Sequence, residues 1–411
     1  LLGATGSRPY NGRMIPTAVS ELAVPGLRYR ITALGLAQIT AWGTLYYAIA
    51  VLAAPMGASL QLSPTVIYGG FSVALLASGF ISPWVGRRID RDGGRSTLML
   101  AALLGGLAFA LLGAAESVAA YFCAWLLAGL AMGCGLYDAV LAVLNRLAPG
   151  AGYRRAVTGL TLFGGFASTV FWPLTHWLVT YADWRTACWI YALLQWGFCL
   201  PLYRWAVPVL KVAPLLASAT PAPAPTPRSS KRFVALAAAF ALVSFAFSVL
   251  SAHLIELLGE AHLSVADAVA VGAAFGPMQV LARMVEFGLA PHSRAVTVGR
   301  VAFGLMAVAL LTLSLIDGQR WLAFTFALLY GASNGILTIV RGTVPAELFG
   351  REHYGALLGT LALPSFVAKA IAPLLFALTL SAGVSHAHAM LGLAAAGALA
   401  LISFEIARYR A

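Results

Sequence analysis

Charge is what this chain has least of. Of its 411 residues only 10% are Asp, Glu, Lys or Arg, against 61% hydrophobic, where a soluble globular chain is about a quarter charged. So small a polar share cannot cover a water-facing surface, and no polar helices alternate with the apolar runs to shield them. Cysteine is scarce too. Cys123, Cys134, Cys188 and Cys199 all lie inside apolar runs with no CxxC spacing, which leaves no case for disulfides or thiolate metal sites. The seven histidines are scattered, so no metal centre is expected. No GxxxxGK[ST] loop and no nucleophile elbow occurs; neither an enzyme nor a cofactor is indicated. The net charge is +12, yet no basic patch is interleaved with exposed aromatics, so a nucleic-acid partner is a poor explanation.

Apolar runs long enough to cross hydrocarbon as helices are what the chain does have. Mean hydropathy is +0.87. The runs fall near 31–53, 64–85, 97–115, 119–146, 156–179, 185–206, 233–257, 265–288, 296–316, 321–345, 353–379 and 386–406. Residues 207–232, including "ATPAPAPTPRSSKR", form the one long link, and its alternating proline and alanine predict an extended spacer. The expectation is an all-α membrane protein of twelve transmembrane helices in two pseudo-symmetric six-helix halves. Its parts are a cytoplasmic tail at 1–30, a first half at 31–206, a cytoplasmic linker at 207–232, a second half at 233–407 and a short tail at 408–411. The arginines fix the orientation. Arg8, Arg13, Arg28, Arg30, Arg87, Arg88, Arg91, Arg95, Arg146, Arg154 and Arg155 all fall on one side, while the other carries little beyond Arg185 and Arg320. That bias predicts both termini in the cytoplasm, in a multi-pass protein of the inner membrane in contact with lipid. The halves echo each other: "GLYDAVLAVLNRLAP" (135–149) aligns without a gap on "GASNGILTIVRGTVP" (331–345), pairing Asp138 with Asn334. Paired halves around a central pathway suit a carrier.

Between the second and third runs lies "GRRIDRDGGR" (86–95). Asp90 ends one helix where its carboxylate can accept amide N–H groups and favour a helix N-terminus. Gly93 and Gly94 permit a tight turn. Gly86, Asp90, Arg91, Gly93 and Arg95 together resemble the signature of the major facilitator superfamily, and the resemblance runs over residues 30–407. It implies the twelve-helix fold, and a loop that latches the two halves. The second half has "GLAPHSR" after its second run, without the aspartate, so the latch should be asymmetric.

Two cations stand inside spans: Arg283 in the eighth and Lys369 in the eleventh. Each costs about 2.5–3.5 kcal/mol near the bilayer centre, so both should face the interior with partners. A permanent pair such as Asp138 with Lys369 is one solution. The other is a site for an anion, with Arg283 gripping a carboxylate bidentately and Lys369 adding a point charge. The placement resembles the oxalate–formate antiporters and the monocarboxylate transporters, although the aspartate usual one turn before the arginine is Gln279 here. Gln38, Trp42 and Tyr46 recur at i and i+4 in the first run and predict a polar-aromatic cavity face, and Asn334 is a further candidate substrate contact. Asp138, His253 and Glu256 are the candidates for proton coupling. These readings converge on a secondary carrier for a small organic anion, proton-coupled or anion-exchanging, working as a monomer by alternating access. Proton-driven efflux of hydrophobic or cationic compounds is the competing reading, favoured if Asp138 and Glu256 face the cavity and the cations are paired elsewhere.

Overall fold

The computed structural model describes residues 26–148, 152–209, 230–289 and 293–409. All the regular structure in it is helical. The first half of the chain contributes α1 (Leu27–Ala41), a π-turn (Trp42–Tyr47), α2 (Ile49–Leu60), α3 (Pro64–Asp92), α4 (Arg95–Gly113), α5 (Val118–Gly135), α6 (Tyr137–Leu147), α7 (Gly152–Gly165), α8 (Ala167–Tyr181), α9 (Trp184–Leu194), a second π-turn (Gln195–Cys199) and α10 (Leu200–Ala206). The second half contributes α11 (Lys231–Glu260), α12 (Val265–Leu289), α13 (Ala295–Ser314), α14 (Arg320–Phe349), α15 (Tyr354–Ser381) and α16 (His386–Tyr409). Of the expected tail at 1–30, residues 1–25 lie outside the described residues, as does most of the linker, and α1 already begins at Leu27.

Short side chains set where these helices begin. Ser63, Ser117, Asp183 and Ser230 each accept the N–H three residues on, at 3.4, 3.2, 2.5 and 3.1 Å, relieving donors that a helix start leaves unpaired. Gly93 ends α3 at φ +83° and Gly94 opens α4 at φ +86°, a backbone that residues with a Cβ avoid. Among the described residues ten helices are long and apolar enough to cross a membrane, and eleven if the pair Leu27–Tyr47 and Ile49–Leu60, bent by 41°, counts as one. The expected span at 185–206 is helical but interrupted by its π-turn. The chain is a multi-pass integral membrane protein. Exposed Trp84, Trp205, Trp177, Tyr181 and Trp321 near the helix ends suit an interfacial belt.

Two spans are broken part-way along their length. Leu136 takes an extended conformation (φ −83°, ψ −170°) and splits α5 from α6. Gly165 and Phe166 split α7 from α8. Each break brings one helix end and one helix start into the membrane interior.

The halves meet through α3 and α15, α6 and α15, and α7 with α12 and α14. The α3–α15 contact is close because glycines remove side chains from it. A Cβ at Gly86 would overlap the Gly355 carbonyl, and one at Gly359 would overlap that of Ser82. Higher along α3, a Cβ at Gly79 would lie 2.9 Å from the Phe366 Cβ. One end of the bundle, the basic end, carries Arg28, Arg30, Arg87, Arg88, Arg91, Arg95, Arg146, Arg154, Arg155, Arg204, Arg232, Arg294, Arg351 and Arg408 in its loops and helix ends.

Candidate functional site

A cavity with about 130 Å³ of free space lies between the halves at mid-span. Its charged lining is Asp138, Arg283, Arg341 and Lys369. Trp42, Tyr47, Tyr137, Phe240, Phe247 and Phe366 supply aromatic walls, and Gln279, Asn334, Thr338 and Ser365 polar ones.

Arg283 is buried, at 2% exposure, and α12 carries it against α7 and α14. Its Nε donates to the Gly335 carbonyl at 3.1 Å and its Nη1 to that of Thr161 at 2.8 Å. Thr161 lies one turn before the end of α7 at Gly165. A Cβ on Gly165 would collide with the Arg283 Nη1, so the glycine makes room for the guanidinium. No carboxylate pairs with Arg283 among the described residues. Two of its five N–H groups are used, which leaves the Nη2 edge available. Glu286, one turn on, is taken by Arg154 and Thr158 of α7.

Lys369 is half-buried and has no acid partner among the described residues. Its Nζ lies 5.7, 5.4 and 5.5 Å from the ring centres of Tyr46, Phe247 and Phe366. Three ring faces offset part of what the ammonium loses in leaving water. The Ser248 hydroxyl donates to its backbone carbonyl at 2.7 Å.

Asp138 meets Arg341, not Lys369, the partner offered above as the alternative to an anion site. The Arg341 Nε donates to Oδ1 at 2.6 Å and Nη2 to Oδ2 at 3.2 Å, a bidentate fork between α14 and α6. A third bond runs from Nη1 to the Ser365 hydroxyl at 3.3 Å. The break at Leu136 puts Asp138 in the first turn of α6, where the helix dipole favours a carboxylate. Sequence reasoning counted two cations in the spans and missed this third. The available signal was a polar face: Asn334, Thr338 and Arg341 recur at i, i+4 and i+7, and all three line the cavity.

The remaining candidates divide. Trp42 and Asn334 line the cavity, and the buried Trp42 Nε1 has no acceptor. Tyr46 lies behind Trp42, ring centres 5.2 Å apart, and reaches the site only through Lys369. Gln38 does not reach it. Fully buried, it donates to the Gly135 carbonyl at 2.7 Å, which the α5–α6 break has freed. The π-turn at Trp42–Tyr47 rotates the helix between these residues, so the expected single face is not continuous. His253 and Glu256 are also away from the cavity. His253 Nδ1 is 2.9 Å from Glu256 Oε2, and Nε2 is 3.3 Å from the Pro373 carbonyl. Glu256 also lies 3.6 Å from His386 on α16, at the end opposite the arginines.

At the basic end, Asp90 has a partner that no side-chain pattern announces. Its two oxygens accept the N–H groups of Gly355 and Ala356 at 2.8 and 2.7 Å, so α3 caps the first turn of α15 in the other half. Arg146 donates to the Asp90 carbonyl at 2.5 Å. Arg91 pairs only with its neighbour Asp92, at 2.7 Å, and Arg95 opens α4. Arg351 crosses back to Asn145 at 2.6 Å and stacks on Tyr153, 4.5 Å from its ring centre. In the second half, Arg294 donates to Glu347 at 2.9 Å, and the other Glu347 oxygen accepts the Val296 N–H at 3.1 Å at the start of α13. The hydrogen bonds that join the halves thus run from Asp138–Arg341 and Arg283–Thr161 down to the basic end. Among the described residues none joins them on the opposite side of the cavity.

The model of the Major Facilitator Superfamily matches residues 34–373. No curated protein matches the chain. Among solved structures it is similar to the human organic anion transporter MFSD10 (TETRAN), with 17% identity, a TM-score of 0.70 and coverage of 93% of this chain and 100% of that one. It is also similar to the proton:xylose symporter XylE bound to 6-bromo-6-deoxy-D-glucose, with 13% identity, a TM-score of 0.72 and coverage of 91% and 94%. At these identities the likeness is one of fold.

Proposed function

Since the chain belongs to the major facilitator superfamily, whose members are transporters and not enzymes, we propose that this secondary carrier moves a small organic anion. The two solved relatives bear names with different cargoes, an organic anion and xylose with a proton, so the cargo is argued from the charges of this cavity. Its lining holds three cations, Arg283, Arg341 and Lys369, against one acid, Asp138. Asp138 is taken up by Arg341. What remains is a guanidinium edge and an ammonium without a counter-charge, and that single observation carries the reading. A carboxylate on Arg283 makes two parallel, charge-assisted bonds, with Lys369 as a second, movable charge. A free volume of about 130 Å³ suits a small solute. The arrangement is in keeping with the oxalate–formate and monocarboxylate branch.

The architecture we infer is twelve helical segments in two groups of six, α1–α10 and α11–α16, loading by alternating access from the side opposite the basic end. The arginine bias sets the basic end, with both chain termini, in the cytoplasm. The competing reading, efflux of hydrophobic or cationic compounds, is favoured by an acid free in the cavity, and the Asp138 oxygens are both occupied.

Equilibrium binding of acetate, pyruvate, malonate and succinate to the purified protein tests the proposal. At least one should bind, and Arg283→Lys should weaken it about 10- to 100-fold, since an ammonium keeps charge but loses the fork. Unchanged affinity in folded Arg283→Ala would remove the arginine from the site.

A further inference from the structure

Three polar tips in the cavity wall have no partner among the described residues. The Trp42 indole N–H is buried without an acceptor. The hydroxyls of half-buried Tyr47 and Tyr137, which line the cavity with it, make no hydrogen bond. Other tyrosines of the bundle are not left so. Tyr121 donates to the Ile67 carbonyl at 2.6 Å, Tyr191 meets Thr175 at 2.5 Å, and Tyr153 meets Tyr354 at 3.2 Å, as buried phenols ordinarily do. Local structure turns the three free tips toward the cavity. Trp42 and Tyr47 begin and end the π-turn of the first span. Five residues apart, they would point about 140° from each other in an α-helix of 3.6 residues per turn. The wider π-turn, with its i to i+5 bonds, closes that angle, and their ring centres lie 6.1 Å apart. Tyr137 opens α6, its ring centre 4.9 Å from that of Trp42. Its hydroxyl fills the space that a Cβ on Gly164 would take, as the Arg283 Nη1 fills the space beside Gly165. Consecutive glycines, with Cα atoms about 3.8 Å apart, thus seat the phenol and the guanidinium together at the end of α7. Arg283 is within electrostatic reach of both tyrosine hydroxyls.

We propose that Tyr47 and Tyr137 are substrate-binding residues, whose hydroxyls join the Trp42 indole in replacing water around the carboxylate held by Arg283. This rests on the anion reading and adds the neutral half of the site. A carboxylate offers about four lone-pair sites. The guanidinium edge fills two of them, and the others stay hydrated unless donors stand opposite the fork. That water has to be shed when the cavity shuts over the cargo. A site that returns each lost hydrogen bond holds the anion where charge alone would leave its oxygens unsatisfied. Neutral donors also add grip without adding to the repulsion among the Arg283, Arg341 and Lys369 cations. Phenol and indole donors are directional, so the cradle favours a planar carboxylate with two acceptor oxygens over a spherical halide.

Equilibrium binding of acetate, pyruvate, malonate and succinate to hydroxyl-deleted variants tests this, beside a thermal melt of each. Tyr47→Phe and Tyr137→Phe remove one oxygen each and keep the ring. Each should weaken the best-bound acid about tenfold with the melt unmoved. A double-mutant cycle with Gly164→Ala separates bonding from packing. The added methyl group pushes the Tyr137 hydroxyl from its seat, so Gly164→Ala should weaken the acid about tenfold alone and under about twofold in Tyr137→Phe, because one hydrogen bond cannot be lost twice. Wild-type affinity in either phenylalanine variant overturns the proposal, and so do losses that add in the cycle. If Arg283→Lys weakens binding while either phenylalanine variant does not, the cradle falls and the anion reading stands. If none of the four acids binds the wild-type protein, both fall.

Discussion

Gly165 shows how much of this site rests on an absent side chain. Arg283 lies where a Cβ at that position would overlap its Nη1. Gly165→Ala should therefore weaken carboxylate binding about tenfold with no change in charge, and isothermal titration beside a thermal melt would read the two effects separately. An unaltered affinity would mean that the guanidinium is not held where it matters. Charges in apolar runs are the most legible feature of a membrane sequence, because the bilayer penalises them one at a time. Arg283 and Lys369 were visible for that reason. Arg341 was less so, lying four residues from Pro345 in a run whose apolar content hides its polar face. Gln38 misled, because an amide on an apparent cavity face can equally satisfy a carbonyl freed by a helix break. The sequence does not announce that break, for Leu136 has no helix-breaking chemistry of its own.

Helix ends decide the behaviour of α3 and α15. The Asp90 carboxylate accepts two N–H groups at the start of α15, an interaction worth about 0.5–2 kcal/mol at a helix N-terminus. Asp90→Asn should lower the stability of the closed basic end by that amount and leave the cavity's bonding groups in place. Spin labels at exposed positions 87 and 352 would report a longer-distance population, and an unchanged distribution would count against the cap. Gly86→Ala should act more strongly at the same labels. Its methyl group meets the Gly355 carbonyl, and backbone cannot rotate away as a side chain can. The motif around Asp90 was readable, but its partner was not, since a helix N-terminus is made of backbone and leaves no mark on composition. The π-turns at Trp42–Tyr47 and Gln195–Cys199 were equally hidden. Their reason appears only in three dimensions, where Gln195 of one donates to Thr44 of the other at 2.9 Å.

At the scale of the molecule, the arginines distribute the net charge of +12 almost wholly to one end. A cysteine introduced in the 207–232 linker should resist a membrane-impermeant maleimide in intact cells, and one beside Gly318, in the turn between α13 and α14, should react. The reverse pattern would invert the orientation. Helical content and most span positions were readable because hydropathy and length are one-dimensional properties. The contact between α3 and α15 was not, because it joins residues far apart in the chain through glycines that also occur in ordinary packing.

That contact has a mechanical consequence. Gly86 and Gly355 meet backbone to backbone, with no side chains to repack, so the helices can roll on each other there as on a fulcrum. The arms are unequal. About 33 Å of α3 rises from Gly86 to Pro64, against about 9 Å from Gly86 to Asp92, at 1.5 Å per residue. A tilt of about 10° swings the long arm by about 6 Å and the short one by under about 2 Å, by the same rise. The mouth opposite the arginines can then shut over a cargo while the Asp90 bonds stretch little, which makes a doubly sealed intermediate mechanically inexpensive before the second gate has to move.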